Sequence, residues 1–184
     1  MIFIMRNEKP VEILGKIDFE QFMKYGFEGY TATLDDFKLH ANLYFPEVRL
    51  RNFIEIRNHD CANHGMQYSI LAMYKGLLYN KGGLEAVENL MSKFSYNNIA
   101  EFRYNVPRKA LDTKVAKFQA KDIAKEILQI SQAALIENGE GEEQFLEPIL
   151  ELTPYGISPA DVILGNWNGS WNKDISKLVK YLNN

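Results

Sequence analysis

The alternation of polar and apolar residues is clearest between Arg51 and Arg57. Arg51, Phe53, Glu55 and Arg57 fall on one side, and Asn52, Ile54 and Ile56 on the other. Residues i and i+2 of a strand share a face, so the pattern predicts one strand, with its isoleucine side packed on helices. The opposite side presents two guanidinium groups flanking a carboxylate. Such a row is costly to bury unless a ligand, a metal or a partner side chain satisfies it. Arginine suits bidentate recognition of phosphate or carboxylate, and a neighbouring carboxylate suits Mg2+ that also touches phosphates. An Arg–Glu–Arg ladder on an exposed sheet face is the plain structural alternative, and the strand by itself leaves both readings open.

The rest of the pattern divides into early strands and later helices. Met1 to Met5 reads as a strand, apolar from its first residue, which hints at a preceding segment. Val11 to Ile17 is a short extended stretch around Gly15. Asp18 caps a helix over 19–25, stopped by Gly26. Thr33 opens a second helix with Asp36 at its third position, a short capping box, and Leu34, Phe37, Ala41 and Tyr44 form its apolar stripe. Pro46 ends it, because the residue before a proline leaves helical geometry.

Beyond Asp60 the spacing becomes helical. Met66 to Tyr79 predicts a buried helix broken by Gly82 and Gly83. Leu84 to Phe94 and Ile99 to Tyr104 are shorter, the second punctuated by Pro107. Ala120 to Glu137 is strongly amphipathic, with Ile123, Ile127, Leu128, Ile130, Ala134 and Leu135 on one face. A turn over 138–141 precedes a helix from Glu142 to Leu152. Ser158-Pro159-Ala160-Asp161 is a helix start, 166–172 a loop, and Asp174 to Leu182 a terminal helix. The class is α+β: a partial antiparallel sheet from the early strands, covered by a C-terminal run of helices, in a single domain over 1–184. So few strands leave edges or apolar surface uncovered, which predicts self-association or a partner.

Composition narrows the function. A formal net charge of −3 argues against bulk nucleic-acid binding through a basic surface. Cys61 is the one cysteine, so no intrachain disulfide can form, and a reducing, cytoplasmic setting is expected. Met1 to Met5, ended by Arg6, is too short for a signal peptide, and no run is long enough to cross a bilayer. His59, Asp60, Cys61 and His64 lack the spacing of a zinc finger and read as a loop near a substrate pocket. Trp167 and Trp171 read as anchors of a terminal loop rather than a sugar platform.

The residues Phe45-Pro-Glu-Val-Arg-Leu-Arg51, then Phe53-Ile-Glu-Ile-Arg57, then Asp60, resemble the "FPEVRLKxYLExRxxD" signature of the glutamate–cysteine ligases of plant and proteobacterial type. His40 sits where that family has an Asp-Trp-x-x-His segment. Gly76-Leu-Leu-Tyr79 resembles its "GLLYD", with Asn80 in place of Asp. Ala120 to Leu128, Phe145 to Pro148 and Ser158 to Asp161 resemble its later helices, and Met1-Ile2-Phe3 a strand that lies mid-chain there. The resemblance covers this whole chain and the C-terminal half of a typical member.

The resemblance implies part of a glutamine synthetase-like fold. It implies ATP-dependent ligation of the side-chain carboxylate of glutamate to cysteine through an acyl phosphate, a step of glutathione biosynthesis. Mg2+ and ATP are the implied cofactors, and glutamate, cysteine and ATP the substrates. Glu55 is implied as a Mg2+ ligand and Arg57 as the residue on the transferring phosphate. Arg49 and Arg51 are implied as further phosphate or carboxylate contacts, and Asp60 as part of the substrate pocket. The family's other acidic metal ligands lie on earlier strands. The chain is therefore expected to be a fragment or split part of the ligase, acting with a partner that supplies the missing half. The alternative is a non-catalytic interaction or regulatory remnant of the fold.

Overall fold

Many of the helix starts follow local capping chemistry. The computed structural model describes residues 3–59 and 64–183. These group into two compact units, Met1–Asp60 and Cys61–Asn184.

In the first unit, β1 (Phe3–Arg6) and β2 (Lys9–Glu12) form an antiparallel ribbon with Ile4 opposite Val11. Asn7 and Glu8 turn between them with φ of 50° and 64°, the left-handed pair that a two-residue hairpin turn requires. The second strand thus ends before the predicted Val11–Ile17 stretch does, because the chain turns at Gly15, φ 73°. Ile4, Ile13 and Phe22 are fully buried and are ringed by Val11, Ile17, Phe19, Phe27, Tyr30 and Ala32. Phe22 belongs to α1 (Phe19–Tyr25), which the carboxylate of Asp18 caps by accepting from the Gln21 amide at 2.8 Å.

The predicted Thr33 cap also holds. In α2 (Leu34–Leu43) the Asp36 amide donates to Thr33 Oγ1, and the Thr33 amide and hydroxyl both donate to Asp36 Oδ2. The apolar stripe of this helix is mostly open: Leu34, Phe37 and Tyr44 are all more than half exposed, although the Phe37 ring lies 5.7 Å from that of Phe19.

Asp36 ties helix to ribbon. Its carboxylate accepts both arms of the Arg6 guanidinium, at 2.7 and 2.8 Å, and its side chain is 2% exposed. The hydrogen bond from Arg6, with help from Thr33, holds its pKa down at about 2 against burial. A carboxylate acidified by folding stabilises fully above its unfolded pKa and loses that contribution as pH falls through the folded one. Stability of the first unit should therefore drop by about 2 kcal/mol between pH 5 and pH 2 through this pair. Hydrogen exchange at the Phe22 and Gly26 amides measures it. The same pH dependence in an Asp36→Asn variant would show that another group is responsible.

Among the described residues, the remaining early strands, β3 (Val48–Leu50) and β4 (Ile54–Ile56), pair only with each other. Among the described residues the expected partial sheet is thus a set of separate two-stranded ribbons, within an α+β composition that is mostly helical.

The second unit is built on α3 (His64–Leu78) and α6 (Ala120–Asn138). Between them lie α4 (Lys81–Met91), α5 (Tyr96–Lys109) and a short ribbon, β5 (Lys114–Val115) with β6 (Phe118–Gln119). A 3-10 turn over Glu142–Leu146, then α7 (Glu147–Leu150), α8 (Pro159–Asn168) and α9 (Ile175–Leu182), complete it. Ala72, Leu128, Leu135 and Leu146 form the core, with Met73, Ile149 and Leu150 packed around it. Leu128 and Leu135 lie on the face that the periodicity of α6 picks out. Trp171 rests on Tyr181, ring centroids 5.2 Å apart, as a loop anchor would.

Four expectations change here. The loop predicted over 166–172 is helical through Asn168, the end of α8. Gly82 and Gly83 do not interrupt a helix; they occupy the first turn of α4, which Asn80 caps by accepting from the Gly83 amide at 2.9 Å. Pro107 sits in the last turn of α5, which runs on to Lys109. The predicted Glu142–Leu152 helix is a 3-10 turn followed by one turn of α-helix.

The glycines serve close packing. A Cβ on Gly76 would lie 2.5 Å from the Ser131 carbonyl oxygen and 2.9 Å from its Cα, and one on Gly83 would strike the Gly76 carbonyl. Ser131, fully buried, donates its hydroxyl to the Met73 carbonyl at 3.0 Å. The Asn80 amide group donates to Asn138 Oδ1 at 2.9 Å and to Glu137 Oε2 at 3.2 Å. An aspartate, the residue of the resembling pattern, could not donate there.

Candidate anion site on the second ribbon

Tyr44 leaves helical geometry, with φ −88° and ψ 125°, and releases the chain from α2 one residue ahead of the position that Pro46 restricts. The chain then forms a hairpin, not one long strand. Val48, Arg49 and Leu50 pair with Ile56, Glu55 and Ile54, and the turn falls on 51–53, where the Arg51 amide donates to the Phe53 carbonyl. The Arg57 amide extends the ladder to the Glu47 carbonyl.

Pairing of Arg49 with Glu55 puts these two on one face and Val48, Leu50, Ile54 and Ile56 on the other. The predicted row is therefore corrected. Arg51 leaves it for the exposed turn, and Arg49 takes its place beside Glu55 and Arg57. Ile54 is 70% exposed and does not pack under helices, while Ile56 is half-buried.

The three charges satisfy one another. Glu55 Oε2 accepts from Arg49 Nε and Nη2 at 2.8 and 2.7 Å, and Oε1 accepts from Arg57 Nη1 at 2.8 Å. Arg49 also donates through Nη1 to the Asn42 carbonyl at the end of α2, and its side chain is only 10% exposed. It is an anchor whose guanidinium is turned inward. Arg57 is the more accessible of the two, 32% exposed. Both guanidinium carbons lie against the Phe45 ring, at 5.4 Å for Arg49 and 4.8 Å for Arg57. The hydrogen bond from Arg49, followed by that from Arg57, keeps the Glu55 carboxyl below the usual carboxylate range. The cluster carries two positive charges and one negative, a net +1 on the ribbon.

A Mg2+ ion requires near-octahedral oxygen ligation. Among the described residues no three of His, Cys, Asp and Glu come together to hold a metal. Each oxygen of Glu55 already faces a guanidinium. The described residues therefore do not fit a resident Mg2+, whereas an anion suits the accessible guanidinium of Arg57. Of the other sequence candidates, Asp60 and Cys61 lie outside the described residues, as does the side chain of His64. His59 is exposed. His40 stacks on Phe19, centroids 4.8 Å apart and planes 3° from parallel, and burial pushes its pKa down.

Sequence reasoning missed Phe45 and the anchoring role of Arg49. The signal was present in Val-Arg-Leu and Ile-Glu-Ile, two apolar–charged–apolar triplets mirrored about Asn52, which is a turn-forming residue.

Among the described residues, no helix is long and apolar enough to cross a membrane. Glutamate–cysteine ligase A, chloroplastic, of Oryza sativa subsp. indica is 29% identical over 185 residues, covering 99% of this chain and 37% of the relative. The chloroplastic ligase of Brassica juncea is 29% identical, with 99% and 36% covered. That of Solanum lycopersicum is 26% identical, with 99% and 35% covered. The chain thus spans little more than a third of the length of these relatives, less than the half expected from its motifs. Residues 1–181 match the model of the glutamate–cysteine ligase family 2 (GCS2), and the chain belongs to that family.

Proposed function

We propose that this chain supplies the phosphoryl-facing arginine of an ATP-dependent glutamate–cysteine ligase. In this reading it forms part of a glutamine synthetase-like catalytic domain and acts in glutathione biosynthesis in a reducing compartment. A side-chain carboxylate oxygen of glutamate attacks the γ-phosphorus of ATP, the bond to ADP breaks, and an acyl phosphate forms. The amine of cysteine then attacks the acyl carbon, phosphate leaves, and the amine gives up a proton as γ-glutamylcysteine is made.

Arg57 lies against the phosphoryl group and stabilises the charge that spreads over its oxygens during transfer. Arg49 acts through Glu55, whose carboxylate tethers Arg57 through its Nη1. Arg51, exposed on the turn, reaches a more distant phosphate or a substrate carboxylate, and Asp60 borders the substrate pocket. The carboxylates that accompany Mg2+ and ATP come from the rest of the ligase, where Glu55 joins them only if its guanidinium partners turn to phosphate. The observation that carries this reading is the Arg49–Glu55–Arg57 cluster in a chain of this family. Because these charges pair with one another, a non-catalytic remnant could also keep them, so the test must be functional.

Coupled ADP release with glutamate and cysteine provides it. The 184-residue chain alone should give none, and adding the remaining portion of a related ligase should restore glutamate-dependent turnover. Turnover by the chain alone would overturn the dependence on that portion. A folded mixture of both parts that stays inactive would overturn the ligase assignment.

A further inference from the structure

We infer that Phe45 is a positioning residue, the platform that sets the plane of the Arg57 guanidinium. The inference rests on the reading of Arg57 as a phosphate contact. It goes further by naming what holds that arginine ready before an anion arrives.

Among the described residues, the side-chain restraints on Arg57 are two. It is the last residue of the ribbon ladder, its side chain is about a third exposed, and Glu55 Oε1 meets it through a single nitrogen, Nη1. One hydrogen bond fixes a distance but leaves the guanidinium free to pivot about it. The Phe45 ring supplies the second restraint, with the guanidinium carbon 4.8 Å from its centroid. The negative face of the ring attracts the cation, and contact at that face restricts the tilt of the fork.

Phe45 is itself placed by its neighbours. It stands just before Pro46, whose ring narrows the backbone freedom of the residue preceding it. Its ring also faces the guanidinium of Arg49, which is largely shielded and makes two hydrogen bonds to Glu55. Ring, anchor and carboxylate therefore form a closed set around Arg57. Yet Phe45 is 63% exposed. A phenylalanine so exposed adds little to the core, whose buried members in this unit are Ile4, Ile13 and Phe22. A role in orienting Arg57 accounts for an aromatic side chain at this position.

The test uses the full chain with inorganic pyrophosphate as the probe, in EDTA, followed by the 1H–15N signal of Arg57 Nε. Wild type and Phe45→Tyr are expected to show the same Nε–H exchange rate and a saturable shift on titration. Phe45→Leu keeps an apolar side chain but removes the ring face. It should speed exchange of that Nε–H and weaken pyrophosphate binding by about two- to fivefold, the range of an exposed cation–π contact. Unchanged β1–β2 and α1 amide signals would show that the unit remains folded. Identical Arg57 behaviour in Phe45→Leu and wild type overturns the inference. The absence of any Arg57 response to pyrophosphate in wild type overturns the phosphate reading instead, while the exchange rates still decide whether Phe45 orders the guanidinium.

Discussion

Substituting alanine for Gly76 is expected to destabilise the second unit by about 2–4 kcal/mol, even though alanine is the better helix former by about 1 kcal/mol. The added methyl would press on the carbonyl oxygen and Cα of Ser131, and neither can swing aside as a flexible side-chain tip would. The two long helices must separate, and the Ser131 hydroxyl then loses its reach to the Met73 carbonyl. A Ser131→Ala second change should not rescue the variant, since it removes only the Oγ and leaves the backbone collision. Both tryptophans lie in this unit, so a urea titration followed by their fluorescence reports on it directly. An unchanged midpoint in Gly76→Ala would show that α3 and α6 leave room for a methyl group between them.

The second large effect concerns turnover. In ligase activity restored by the remaining portion of a related enzyme, Arg57→Ala should lower kcat by about a hundredfold or more while changing KM for glutamate and cysteine little. An interaction that grows as charge spreads over a moving phosphoryl group is lost from the transition state more than from the bound substrate. Arg57→Lys should recover part of the rate, because the charge returns without the planar fork. Steady-state kinetics on the mixture separates these outcomes. A kcat within a factor of three of wild type in Arg57→Ala would remove this residue from the chemistry.

Elements with local causes are legible in the sequence. Asp18, Thr33 and Ser158 announce their helices because each side chain caps amides within three residues, and nothing distant is needed. The amphipathic face of α6 is legible for a similar reason, since one period runs through it uninterrupted. The ribbon at Glu55 reads wrongly as one strand because a period of two is compatible with a strand and with each arm of a hairpin. Only the turn decides between them, and Asn52 fits a strand face as well as a turn. Gly82 and Gly83 illustrate another limit. A glycine pair suggests a helix break unless one knows that Gly76 will lie against Gly83. That proximity comes from helix packing, which no local window contains. Glu55 and Arg57 stand out in the sequence, yet their partners Arg49 and Phe45 become visible as a cluster only when the strand register is known.

The closeness of α3 to α6 also bears on synthesis of the chain. The core of the first unit draws on residues between Ile4 and Ala32, all made ahead of the second unit. The second cannot close until Leu146 joins Ala72, and the Ser69 hydroxyl reaches the Phe145 carbonyl across 76 positions. At an elongation rate of about 5–20 residues per second, helix α3 waits roughly 4–15 s for its partners. Throughout that interval its apolar residues face the ribosome surface and whatever chaperones are at hand. Translation speed and chaperone supply should therefore govern the yield of the second unit much more than that of the first.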